Sequence, residues 1–73
     1  MAAKGSPKQR LGRRIREVRL AKKLSQMDLV KRHEWSLSHY QKIERGDLDP
    51  RLSTLVKLAE SFGITVSDLL RGL

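Results

Sequence analysis

Apolar side chains recur along this chain at intervals of three and four residues, the spacing that lines one face of a helix. Leu11, Ile15, Val18 and Lys22 fall at i, i+4, i+7 and i+11. Lys22 joins the row because its aliphatic stem can lie along the edge of a core. This predicts a first helix over about residues 8–23 with arginines on its outer face. A second helix starts at Ser25, where Ser25-Gln26-Met27-Asp28 forms a capping box with Asp in place of Glu. Met27 or Leu29, together with Val30, supplies its inner face, and it ends near His33. A third helix starts at Ser36, whose hydroxyl can accept from the backbone N–H of Ser38 or His39. Tyr40 and Ile43 face inward, and Gly46 stops the helix as a left-handed cap. A fourth is expected to start with Asp49 as N-cap and Pro50 in the first helical position. It runs to about Phe62 with Leu52, Leu55, Val56, Leu58, Ala59 and Phe62 as its apolar stripe, and Gly63 ends it. Thr65-Val66-Ser67-Asp68 is a further capping box, opening a short fifth helix from Val66 to about Arg71 with Leu69 and Leu70. No segment alternates like a strand, so the pattern predicts an all-α domain of five helices.

Length and composition narrow the reading. The 73 residues allow one domain with a thin core. Residues 8–73 make up that domain, and residues 1–7 read as a flexible basic arm without the apolar stretch of a secretory signal. With no cysteine there is neither a disulfide nor a Cys-based zinc site, which fits a reducing compartment. Two histidines, His33 and His39, are too few for a closed structural metal site, so no metal or cofactor is expected. No run approaches a membrane span.

The net charge is +8, and its placement is more telling than its size. Residues 1–23 hold nine Lys/Arg and one acid, Glu17, whereas residues 24–73 hold seven of each sign. The whole excess therefore lies in the arm and the first helix, which points to a polyanion or an acidic partner. A solvated helix face with a basic tail is the plainer alternative. Binding to an anionic membrane surface fits poorly, because the first helix lacks the aromatics and broad apolar face of an anchor.

Helices 2 and 3 are short, individually capped and joined by a tight turn, the arrangement of a helix-turn-helix. Such a unit lays its first helix across the DNA backbone and presents the N-terminal half of its second to base edges in the major groove. Both N-termini offer free N–H groups to phosphate. The segments LGRRIREVR (11–19), LSQMDLV (24–30), KIERG (42–46), DPRLSTLVKLAESFGI (49–64) and TVSDLL (65–70) stand in register over about 60 residues. In this ordered set the chain resembles the Cro/C1-type (Xre, lambda-repressor-like) helix-turn-helix family. Each motif alone is modest; the ordered set is specific. It implies a five-helix DNA-binding domain, usually a homodimer on a palindromic operator, acting as a repressor or other regulator in the bacterial cytoplasm.

The site residues follow from the helix-3 pattern and from the resemblance. With Tyr40 and Ile43 inward, the opposite face of helix 3 is Leu37, Ser38, Gln41, Lys42 and Arg45. Leu37 suits a thymine methyl, Ser38 either kind of base, Gln41 adenine and Lys42 guanine. Arg45, one turn further, is assigned to phosphate. His39, at the edge of this face, is a candidate phosphate or base contact. Ser25 caps helix 2 and lets Gln26 point at the backbone; the family uses this glutamine to bind phosphate or to brace a base reader. The family also pairs an arginine and a glutamate across the core, here Arg19 and Glu44, with the guanidinium also aimed at phosphate. Arg51 resembles part of a second phosphate clamp beside the loop after helix 3, and Asp49 is expected to be occupied as a cap. Lys4, Lys8 and Arg10, with Arg13 and Arg14, are candidates to reach around a duplex. Ile64, Leu69, Leu70 and Leu73 are more apolar residues than one short helix needs and are assigned to a dimer interface, with Leu70 and Leu73 the most exposed.

Two departures from the family pattern stand in the turn. Glu34 occupies a position where glycine is frequent, so it must adopt a left-handed conformation or reshape the turn. Trp35 is expected to plug the gap between helices 2 and 3, with an exposed partner contact as the alternative. No nucleophile–base set, Gly-rich phosphate loop or paired carboxylates appears, so the chain reads as a non-enzyme. The competing class is a protein-interaction module, such as an antitoxin or coactivator-type domain, gripping an acidic protein through the basic first helix.

Overall fold

In the computed structural model, residues 5–73 are described. They form five helices in chain order: α1 (Pro7–Ala21), α2 (Gln26–His33), α3 (Leu37–Arg45), α4 (Leu52–Phe62) and α5 (Val66–Leu69). There is no strand among the described residues, so the expected all-α class holds.

Local capping chemistry sets most of the boundaries. Ser25 accepts from the N–H of Asp28 while the Asp28 carboxylate accepts from the N–H of Ser25, a reciprocal box. Thr65 and Asp68 do the same for α5. Ser36 accepts from His39, which decides between the two partners open to it. A box not anticipated from the sequence, Ser6 with Gln9, opens α1 with Pro7 in its first turn. Ser6 and Pro7 thus belong to the helix start rather than to an arm, and the expected arm residue Lys4 lies outside the described residues.

The start of α4 differs from expectation. Arg51 is extended (φ −70°, ψ 158°) and occupies the cap position without a side-chain hydrogen bond. Pro50 therefore stands ahead of the helix, and Asp49 does not cap it. Helix α5 is also shorter than expected, because the N–H of Arg71 bonds the Asp68 carbonyl in a tighter turn.

The core joins Ile15 and Val18 of α1, Leu29 and Val30 of α2, Tyr40 and Ile43 of α3, Leu58, Ala59 and Phe62 of α4, and Leu69 of α5. The structure corrects the core assignments at Lys22, Leu52 and Val56 and decides between Met27 and Leu29. Lys22 is exposed. Met27 is 43% exposed while Leu29 is fully buried, so Leu29 is the inner residue of α2. Leu52 is 69% and Val56 38% exposed, because this i, i+4 row of α4 points away from the row of Leu55, Leu58, Ala59 and Phe62.

Helix α1 is the main brace of α3. Gly12 is buried where the two backbones meet, and a Cβ there would lie 2.4 Å from the Glu44 carbonyl oxygen. Only glycine permits that approach, so the packing depends on one missing methyl group. Between α2 and α3 the turn closes with Glu34 in the left-handed region (φ 57°, ψ 34°), the first of its two options. Trp35 is half-buried against the core, stacked on the rings of His33 (centroids 4.5 Å apart) and Tyr40 (6.1 Å). It fills the gap expected of it.

Candidate nucleic-acid interface

With Tyr40, Ile43 and Glu44 buried, α3 turns Leu37, Ser38, His39, Lys42 and Arg45 outward, with Gln41 half-buried among them. The four base-reading candidates Leu37, Ser38, Gln41 and Lys42 thus share one face, at the N-terminal and middle turns of the helix.

Beneath that face lies a polar network centred on Glu44. Arg19 donates from Nε to Glu44 Oε2 at 2.7 Å and from Nη2 to Oε1 at 3.2 Å, a bidentate pair across α1 and α3. Its Nη1 donates to the Leu24 carbonyl at 3.0 Å. The Tyr40 hydroxyl donates to Glu44 Oε2, and Gln26 Nε2 donates to Oε1 at 3.1 Å. A carboxylate offers about four acceptor positions, and Glu44 has all of them filled. Burial pushes its pKa up, but the hydrogen bonds from Arg19, Tyr40 and Gln26 outweigh this and hold it below the ordinary carboxylate value. Burial, reinforced by the bond to Glu44, raises Tyr40 well above the ordinary phenol. The hydrogen bond to Glu44 likewise raises Arg19. Arg19 and Glu44 therefore stay ionised at neutral pH while Tyr40 keeps its proton. It continues outward through Gln26, whose Oε1 accepts from Gln41 Nε2 at 3.3 Å.

The structural pair Arg19–Glu44 is present as expected, but the second role given to Arg19 is not. Its guanidinium is buried and engaged by Glu44 and Leu24, so it does not project to a phosphate. Arg14 is also corrected. It donates to the Asp68 carbonyl at 2.8 Å and the Leu69 carbonyl at 3.2 Å, closing the end of α5. Cations belong at helix C-termini, where carbonyls lack partners. Leu69 is withdrawn from the dimer assignment, since it is fully buried in the monomer core. Ile64 packs against that core, Leu70 is half-buried, and Leu73 is 43% exposed.

The remaining phosphate candidates lie on the outside. Ser25 is exposed at the start of α2, beside the half-buried Gln26. Arg45 is exposed and meets Asp47 at 3.1 Å. Such a pair contributes little and is readily exchanged for another anion. His39 and Arg51 line one open groove of about 370 Å³ together with Ser53, Thr54 and Lys57. Asp49, free of the capping role, lines the same groove.

Sequence reasoning missed Lys57 and the tyrosine hydroxyl, and it gave Gln26 a bracing role without naming Gln41 as the partner. Tyr40 and Glu44 stand at i, i+4, so that pairing was within reach of a helical reading. The other two depend on how separate helices meet. His33, expected only to mark the end of helix 2, bonds Ser61 of α4 at 2.6 Å. Burial, with Lys57 and Arg32 nearby, lowers its pKa.

Five helices with a capped α2–turn–α3 unit define a helix-turn-helix domain. A family model described as a helix-turn-helix domain matches residues 10–71, and the chain belongs to that family. It is 40% identical over 63 residues to the HTH-type transcriptional regulator DdrOP3 of Deinococcus deserti, covering 86% of this chain and 49% of the relative. It is also 40% identical over 57 residues to the immunity repressor protein of Bacillus phage phi105, covering 78% of this chain and 40% of that protein. The chain thus spans about half the length, or less, of these curated relatives. Among solved structures, the clp gene regulator ClgR from C. glutamicum superposes with a TM-score of 0.85 over 96% of this chain and 90% of that one, at 23% identity. That likeness supports the fold. The two sequence relatives carry the names of a transcriptional regulator and a phage repressor.

Proposed function

We propose that this chain is the operator-reading domain of a transcription regulator that binds a palindromic duplex as a dimer and acts by occupancy. The observation that carries the reading is the outward face of α3. Leu37, Ser38, Gln41 and Lys42 project from a helix whose inner side is fixed by apolar packing and by the Arg19–Glu44 pair. Phosphates fall to Ser25, Gln26, His39, Arg45 and Arg51, with Lys57 added from the groove beside α4. The two-fold contact falls to Ile64, Leu70 and Leu73. Two α3 helices would then lie about 34 Å apart, one turn of duplex.

The test is selection of bound duplexes from a random pool at about 150 mM salt, where backbone-only binding is weak. A palindrome with half-sites one helical turn apart is the expected result. Recovery of no consensus, with binding that disappears as salt rises, would leave α1 as an electrostatic handle and redirect attention to an acidic protein partner.

A further inference from the structure

We propose that the groove between the N-terminal half of α1 and the residues after α5 docks an acidic segment of another protein, one that carries carboxylates around a large apolar side chain. The site is separate from the outward face of α3, and the inference does not rest on operator reading.

Two adjoining grooves make up the surface. The smaller, of about 210 Å³, is lined by Arg10, Arg13, Arg14 and Arg71, with Glu17 beside them and Leu73 at its end. The larger, of about 620 Å³, has an apolar wall of Pro7, Leu11 and Leu73, with Lys8, Arg10 and Asp49 around it. Arg10 and Leu73 belong to both, so the two are continuous. Lys8 and the four arginines thus meet only Glu17 and Asp49 across the whole surface.

Arg10, Arg14 and Arg71 keep their charge available. Arg14 donates to the Asp68 and Leu69 carbonyls, which carry no net charge. Arg71 holds Asp68 at 2.7 Å, but that pair is exposed and readily exchanged for another carboxylate. Arg10 is the sharpest case. Its Nε is buried and meets no acceptor among the described residues. A buried donor without a partner is costly, and a carboxylate in the groove would supply one in charge-assisted form.

Place and chemistry together select the class of partner. Gly12 of α1 meets the backbone of α3. Arg10 and Arg14 stand two residues to either side of it, roughly 200° round the helix, so they lie on the side of α1 turned away from α3. A nucleic-acid backbone would use the arginines and leave the apolar wall bare. A protein segment uses both, with an apolar side chain in the larger groove and carboxylates on the arginines, the mode in which arginine clusters read acidic motifs. A second copy of this chain has no such segment. Its Asp28 and Asp68 are held in capping boxes, Asp47 meets Arg45 and Glu44 is buried, which leaves Glu17, Glu34, Asp49 and Glu60 on four different elements. Leu73 is also given to the two-fold contact above, so a docked segment and a second copy exclude each other there.

The experiment selects binders to the intact chain, without DNA, from a displayed pool of random dodecamer peptides at about 150 mM salt. The enriched peptides should carry several Asp or Glu around one Leu, Ile, Phe or Trp. Binding of one such peptide should weaken roughly 10- to 150-fold in Arg10→Met, the range for a hydrogen bond to a charged group, and should weaken in Arg71→Gln as well. Lys31→Gln makes the same charge change on α2 and should alter binding by less than about 2-fold. The peptide should also shift the Nε–H resonance of Arg10. Thermal unfolding verifies that each variant is folded, and either arginine variant alone is decisive. Enriched peptides without acidic residues, or equal binding to the parent and both folded arginine variants, would overturn the proposal. Failure of any peptide to enrich overturns it too. Retention of the chain on random duplex or on phosphatidylserine vesicles, lost in Arg10→Met, would then give the groove to nucleic acid or to lipid.

Discussion

Glu44 has the most consequences of any single side chain in the molecule. It is buried, charged and fully hydrogen-bonded, so removing one partner strands the other. Glu44→Ala should cost about 3–5 kcal/mol, because the Arg19 guanidinium would remain buried without its counter-charge. Arg19→Met combined with Glu44→Leu should recover much of that loss, since apolar residues of similar volume often replace a buried pair at little cost. Chemical denaturation of the two variants beside the parent measures both effects, and a double variant as unstable as the single would contradict the account. His33 supplies the pH dependence at this scale. Its folded pKa lies below the ordinary imidazole value of about 6.5, chiefly from burial. The unfolded chain then takes up the proton first as pH falls, so stability is full above about 6.5 and declines below it. The melting temperature should drop between pH 7 and pH 5, and His33→Gln should flatten that slope. The lowered carboxylates Asp28, Glu44 and Asp68 contribute only at more acid pH. The sequence showed that His33 was present and titratable; it did not show the Ser61 hydroxyl 28 residues away that holds it.

At the scale of elements, legibility followed the range of the interactions. The boxes at Ser25 and Thr65 join residues three apart, so the sequence displays both partners at once. The start of α4 was misread because Asp49-Pro50 is an excellent local signal, whereas the helix begins only at Leu52. The extended Arg51 then opens the helix with no side-chain acceptor. An arginine is a poor cap, and its place there fits a role outside the helix, beside His39 and Lys57 in the groove. Arg51→Ser should therefore have opposite effects on two readouts. Installing a good N-cap should stabilise the fold by roughly 1 kcal/mol. Removing a phosphate contact should weaken operator binding and reduce the salt slope of log K by about 1. Thermal unfolding and a salt titration of binding check the two halves separately. A more stable chain with unchanged salt slope would remove Arg51 from the interface.

At the scale of the whole molecule, the charge block found in the sequence divides into different uses. Arg19 is sealed inside with Glu44 and Arg14 closes α5, while Lys8, Arg13 and Arg16 remain exposed on α1. Net charge cannot make that division, because it depends on contacts spanning 25 to 55 residues. The same distinction applies to the apolar surface. The four residues assigned to a dimer contact divide into a core residue, Leu69, two partly covered ones, Ile64 and Leu70, and the exposed Leu73. A second apolar patch, Leu52 and Val56 on α4, was hidden within a stripe that looked entirely internal. A two-fold contact must use the same patch on both copies, so the two patches are rivals for it. The arrangement proposed here places it at Leu70 and Leu73. Leu73→Glu, at an exposed site, should leave thermal stability within about 0.5 kcal/mol of the parent. It should nevertheless convert two-copy binding on a palindrome to one copy per half-site, read by sedimentation of the complex. Leu52→Glu should leave two-copy binding intact. If Leu52→Glu is instead the substitution that separates the copies, the contact runs through α4, and the spacing of the two α3 helices must be rebuilt around that axis.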